Sequence, residues 1–122
     1  MTDAIHILGL KEGTTNVNLV VPNEIEGISN IIIADYAFDG NTILKTIDLG
    51  NSVTSIGGYA FRGNSSLASV IVPISCTVIK NYAFRNCSTS CVINCEASEL
   101  PSTWESNWNF SSCQVVWGYI RP

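Results

Sequence analysis

Apolar and polar positions alternate along this chain in short bursts, and the bursts recur at a fixed interval. Thr46-Ile47-Asp48-Leu49 is followed 23 residues on by Ser69-Val70-Ile71-Val72, and after the same step by Val92-Ile93-Asn94-Cys95. Period-two alternation predicts strands with one buried and one open side. Leu44 and Leu67 precede the first two bursts, and Gly50 or Pro73 ends them, since proline cannot donate to a ladder. Val53 and Ile56, with Cys76 and Ile79 one unit later, form a return segment. Tyr-Ala-Phe at 36–38, 59–61 and 82–84 then drops a small and a large residue inward, and Gly63-Asn64 turns the chain into the next strand.

Residues 44–66 laid over 67–89 give nine identities, and three Tyr-Ala-Phe triplets in register with the apolar columns establish an internal repeat. A 23-residue unit cannot bury its own apolar face, so it stacks on its neighbours into a solenoid. An open stack exposes core and sheet edges, so both ends need covering. Residues 4–21 alternate around the polar run Lys11–Asn16, which predicts a hairpin as N-terminal cap over 1–21. Residues 97–122 hold Trp104, Trp108, Trp117 and a strand-like Gln114–Tyr119, which predicts an aromatic C-terminal cap. The repeats occupy 22–96, and the 122 residues make one domain.

The pattern L-x-x-I-x-L…V-x-x-I-x-x-Y-A-F-x-G-N/C over residues 31–96 resembles the BspA-like leucine-rich repeats. One unit departs from it: Pro22 stands 14 residues before Tyr36, where Gly50 to Tyr59 and Pro73 to Tyr82 span nine. The resemblance implies a leucine-rich repeat solenoid, mostly β, with a short parallel sheet on one face and irregular, partly 3₁₀ structure on the other. It also implies a place at a bacterial cell surface and a role in adhesion.

Hydrophobic residues at 46% against 13% charged exclude a disordered chain. The longest aliphatic run, Ile31 to Ala34, is far short of the ~20 residues a membrane helix needs. The net charge is −4, and Lys11, Lys45, Arg62, Lys80, Arg85 and Arg121 are scattered singly. Direct nucleic-acid binding, which wants a basic stripe, is not expected. The opening MTDAIHILGL lacks the basic start of a secretory signal. A complete chain of this kind would be cytoplasmic, whereas the family resemblance points to the cell surface or secretion.

Catalytic chemistry finds little to build on. There is one histidine, His6, on the expected solvent side of a capping strand, and no G-x-S-x-G, G-x-x-x-x-G-K or H-E-x-x-H. An enzyme and a cofactor are not expected. Of five cysteines, Cys76 sits in the Val53 column and Cys95 in the Leu49/Val72 column. Cys87 sits in the Asn41/Asn64 column, which resembles the leucine-rich repeat position where a short polar group satisfies loop backbone. Reduced structural thiols are expected, with a Cys91–Cys113 disulfide as the alternative and no metal site, since that repeat register sends 87 and 95 inward at different places. The triplets at Asn64, Asn86 and Asn109 match the N-glycosylation pattern and are expected to be unmodified. Tyr36, Tyr59 and Tyr82 are expected to stack as a ladder away from the sheet, packing the turns.

What remains is a surface. Between the buried columns Thr46, Asp48, Ser69, Ile71, Val92, Asn94 and Glu96 point to the open side of the strands, a shallow and mildly acidic patch in which Ile71 and Val92 are the apolar feature. The leading reading is a monomeric, non-enzymatic protein-binding module that recognises a partner protein through this strand face, in the manner of an adhesin. A second is a small intracellular inhibitor, phage-encoded for example, whose acidic surface occludes a basic site. A third is a structural spacer or fibre-tip domain.

Overall fold

The computed structural model describes residues 3–122, and among them the chain is a parallel β-solenoid without a helix. The strands are β1 (Ile5–Ile7), β2 (Asn18–Val20), β3 (Ile31–Ile33), β4 (Thr46–Asp48), β5 (Val53–Ile56), β6 (Ser69–Val72), β7 (Val78–Ile79), β8 (Val92–Cys95) and β9 (Gln114–Trp117). They build two walls. One sheet runs β2-β4-β6-β8-β9, the other β1-β3-β5-β7, and every pairing in both is parallel. Thr46 pairs with Ser69 and Ser69 with Val92, so each strand lies beside its own repeat image, one coil away.

The core lies between the walls. Ile47, Val70, Ile93, Leu49, Val72 and Cys95 face inward from the first sheet, and Ile31, Ile33, Val53, Ile56 and Ile79 from the second, none more than 1% exposed. At one end of the cross-section Phe38, Phe61 and Phe84 stack ring on ring at 5.2 Å. Ala37, Ala60 and Ala83 beside them are buried too, and their small side chains leave room for the rings.

Each coil needs a corner after its phenylalanine, and a polar side chain inside the fold makes it. Asn64 is fully buried, and its Nδ2 donates to the carbonyls of Phe38 and Phe61 at 2.8 Å each. Asn41 accepts from the amides of Ile43 and Leu44 at 2.9 Å. Cys87, next in the column, gives its thiol to the Phe61 carbonyl at 3.0 Å. The corner before the phenylalanine places Tyr36, Tyr59 and Tyr82 in the left-handed region, at φ of 61°, 58° and 65°. For an L-residue that costs roughly 1–2 kcal/mol. Gly57, by contrast, is required by contact: a Cβ there would stand 2.4 Å from the Asp35 amide nitrogen.

Three features differ from the expectation. First, the return segment is itself a sheet, and no 3₁₀ turn appears among the described residues. Its register shifts between Ile31 and Ile32, opposite Val53 and Ser55, so Thr54 is an extra residue and the inward pair Val53 and Ile56 are spaced by three.

Second, the hairpin over 4–21 does not form. β1 pairs with β3 (Ile5 with Ile31) and β2 with β4 (Asn18 with Thr46), both parallel. Ten residues separate β1 from β2 and twelve separate β3 from β4, β5 from β6 and β7 from β8, so the segment is another coil. Stacking sets Ile5 and Ile7 against Ile31 and Ile33, which a hairpin between β1 and β2 would not do.

Third, the long first unit contains a small insertion. Ile25 and Ile28 exchange backbone hydrogen bonds at 3.0 and 2.9 Å around Glu26 and Gly27, both at positive φ, a two-residue turn of the primed type. It absorbs the extra residues without disturbing the stack.

At the far end β9 adds to β8, and Trp104, Trp108 and Trp117 pack on one another with centroids 4.9–6.2 Å apart. Trp108 also meets Phe84 edge-on, and the Trp104 indole donates to the Cys76 carbonyl at 3.2 Å. With Trp104 and Trp108 only 6% exposed, these two rings pack the end of the stack.

Candidate binding face

The parallel register sorts the outer side chains of the five-stranded sheet into rows. One row reads Asn18, Thr46, Ser69, Val92 and Gln114, and the next Val20, Asp48, Ile71, Asn94 and Val116. All seven residues singled out in the sequence lie on this side, half-buried, with Glu96 just beyond the end of β8. Thr46 donates to Asn18 at 2.7 Å and Asn94 to Ser69 at 3.3 Å, so the polar members are already tied laterally. Val20 and Val116 fall on strands that the sequence pattern assigns to the caps, so that pattern leaves them out of the face. Val20 is 72% exposed and Val116 36%, and in one row with Ile71 they broaden the apolar content of the face.

A second missed residue changes its electrostatics. Past β9 the backbone turns over the sheet end, Gly118 donating to Ala97 and Tyr119 to Cys95. Arg121 then lies across the face. Its Nη1 donates to both Asp48 oxygens at 2.8 and 2.7 Å, its Nε to Glu96 at 2.9 Å, and its Nη2 to the Gly50 carbonyl. The hydrogen bonds to Asp48, opposed by partial burial and reinforced by Glu96, raise the guanidinium pKa above its ordinary value. Asp48 and Glu96, the two acids expected to make the patch acidic, are bridged by one cation. Beside them Val20, Pro22, Asn51 and Arg121 line a depression of about 270 Å³.

These ion pairs are about one-quarter exposed on the carboxylate side, so their contribution is modest. Arg121→Ala is expected to lower stability by no more than about 1 kcal/mol. The loss shrinks in about 1 M salt, where screening acts over ~3 Å. Urea unfolding at two salt concentrations checks both. A larger, salt-independent loss would mean that the segment holds the fold by packing.

His6 is exposed on β1, as expected, in a depression of about 360 Å³ with Ile32, Ser55 and Lys80. No group of three or more His, Cys, Asp or Glu is arranged to hold a metal ion among the described residues. All five cysteines are buried free thiols, Cys91 and Cys113 included. Burial pushes Cys76 and Cys95 up to about 12. Hydrogen bonding to Cys113, with burial, raises Cys87 and Cys91, and the same bonds lower Cys113. Among the described residues no helix is long and apolar enough to cross a membrane.

Comparison with known proteins agrees with this architecture at the level of family. The family model described as the BspA type leucine rich repeat region matches in six copies over residues 14–116, reaching into both end segments. No curated protein and no solved structure gave a match. Repeat period, parallel stacking and this match lead to one statement: the chain belongs to the BspA-type leucine-rich repeat family.

Proposed function

We propose that this chain is a non-enzymatic protein-binding module that takes its partner on the outer side of the five-stranded sheet, in the manner of an adhesin at a cell surface. Solenoids of this class present extended surfaces for protein recognition, which supports the general reading. The observation that carries the particular face is the strip of Val20, Ile71, Val92 and Val116 among small polar residues, on a rigid parallel ladder. Apolar side chains interspersed with hydrogen-bonding ones match the mixed composition of a non-obligate interface. Thr46, Ser69 and Asn94, on the inner strands between them, supply hydrogen-bonding groups, and Asp48 with Glu96 enters through its bridge to Arg121.

The test compares immobilised wild type with the double variant Ile71→Arg/Val92→Arg against surface-protein extracts. Both positions are half-buried on the outer side, so the melting temperature is expected to change little. Retention of the partner is expected to fall at least tenfold, about 1.4 kcal/mol. Equal retention by the two proteins would overturn the assignment to this face.

A further inference from the structure

The aromatic edge of the solenoid carries a feature the strand face does not explain. Tyr36 and Tyr59 stack at 5.1 Å, Tyr59 and Tyr82 follow at 5.4 Å, and Phe110 closes the row edge-on at 5.3 Å from Tyr82. The two ends stay open, Tyr36 at 54% and Phe110 at 53% exposure. The residue after each phenylalanine of the repeat is Asp39, Arg62 and Arg85 in turn. Since every side chain in this column faces its image one coil back, Arg62 meets an acid: its Nε and Nη2 form a fork on Asp39 at 2.9 and 2.8 Å. In that place Arg85 would meet Arg62, a like charge.

Arg85 has turned the other way. Its guanidinium lies 5.4 Å from the Tyr82 ring centre and 5.4 Å from that of Phe110. Among the described residues it forms no ion pair, and its Nε is shielded from solvent without an acceptor. A buried donor left unmade costs roughly 1–3 kcal/mol, more for a charged group. Two aromatic faces hold the cation in position, and the repeat that supplies a carboxylate to Arg62 supplies none here.

We propose that Arg85, held against the Tyr82–Phe110 ring pair, is a recognition point for a carboxylate on an acidic peptide segment of a partner protein. The Asp39–Arg62 pair one coil away is the template: a planar two-oxygen acceptor on a guanidinium fork beside aromatic rings. Because the Arg85 Nε is shielded from solvent, the incoming carboxylate takes the Nη1/Nη2 edge and not the Nε/Nη2 edge that Asp39 uses on Arg62, and exposed Phe110 offers contact to an apolar neighbour in the peptide. A polyanion fits less well. It needs a run of unpaired cations, whereas Arg62 is bound to Asp39, Lys80 stands 4.0 Å from Asp35, and Glu105 accepts from the Asn81 amide on the same edge. This surface is separate from the strand face, and its test is independent of that reading.

The chain has three arginines, so the Nε–Hε signals of Arg62, Arg85 and Arg121 in a nitrogen-15-labelled sample report on each guanidinium separately. The probe is acetyl-Glu-Tyr-Glu-amide, with acetyl-Gln-Tyr-Gln-amide and inorganic phosphate as comparisons. A saturable shift at Arg85, at least tenfold weaker with the glutamine peptide and small at Arg62 and Arg121, supports the proposal. Arg85→Gln is expected to weaken the acidic peptide at least tenfold. No shift at Arg85, or equal movement of all three signals, would overturn it. So would equal binding of the two peptides, or phosphate matching the acidic peptide, which would mark a simple anion site. The wild-type titration decides the matter even where Arg85→Gln fails to fold.

Discussion

Phe61→Ala is expected to lower the stability of this chain by about 3–5 kcal/mol, a fall in melting temperature on the order of 10–20 °C. Phe61 is fully buried between Phe38 and Phe84, each 5.2 Å away, with interplanar angles of 11° and 2°. Truncation removes the transfer free energy of the ring and leaves a cavity whose walls are two other rings. Those walls cannot close on each other, because the spacing of the coils is set by the parallel ladders on both sheets, about 4.8 Å per step. Since each coil contacts only its neighbours, the damage also weakens the coupling between the halves. Urea unfolding is therefore expected to show a lower midpoint together with a reduced slope, as the transition loses cooperativity. Phe61→Leu, which fills most of the space, is expected to lose less than half as much. A loss below about 1 kcal/mol for the alanine variant would show that the aromatic column is dispensable and that the sheets alone hold the stack.

The parts of this fold that the sequence announces are those whose signal is local and periodic. Tyr-Ala-Phe recurring every 23 residues, with Ile47/Leu49 and Val70/Val72 alternating against polar neighbours, gives the coil and one wall of it. The second wall was hidden by the extra residue at Thr54. With Val53 and Ile56 three apart, β5 carries no period of two, so it reads as an irregular return. The first coil escapes the sequence for a different reason: alternation predicts a strand but is silent on its partner. Only the arc length between β1 and β2, matched to that of later coils, distinguishes stacking from a hairpin. On the candidate face, the seven residues followed from strand parity. Arg121 could not, because its contact with Asp48 spans 73 positions and arises only when the last strand is stacked on β8. The isolated state of Arg85 is legible in retrospect, since the repeat column reads Asp39, Arg62, Arg85 and alternates acid with base only once.

Asn64 offers the second large effect, and it separates two explanations of the Asn/Cys column. Its amide nitrogen donates to the carbonyls of Phe38, Phe61 and Arg62 at 2.8, 2.8 and 3.3 Å, while its Oδ1 is buried without a partner. The site therefore asks for a donor and makes no use of the acceptor. Asn64→Leu keeps the volume and leaves the carbonyls unmet, at roughly 1–3 kcal/mol for each group, so a loss of about 2–5 kcal/mol is expected. Asn64→Cys retains one donor in the way Cys87 does toward Phe61, and is expected to retain most of the stability. Asn64→Asp gives the sharpest sign. Burial beside carbonyl oxygens disfavours its charged form, so its pKa in the folded state lies above that of the unfolded chain. The folded state then binds more protons in that window, and the variant gains stability as the pH falls, against the usual trend for a buried acid paired with a base. Thermal melts of the three variants between about pH 4 and pH 8 measure this. Should leucine and cysteine prove equally stable, the column would be a matter of size alone, and the corner would be held by the backbone ladder without the side chain.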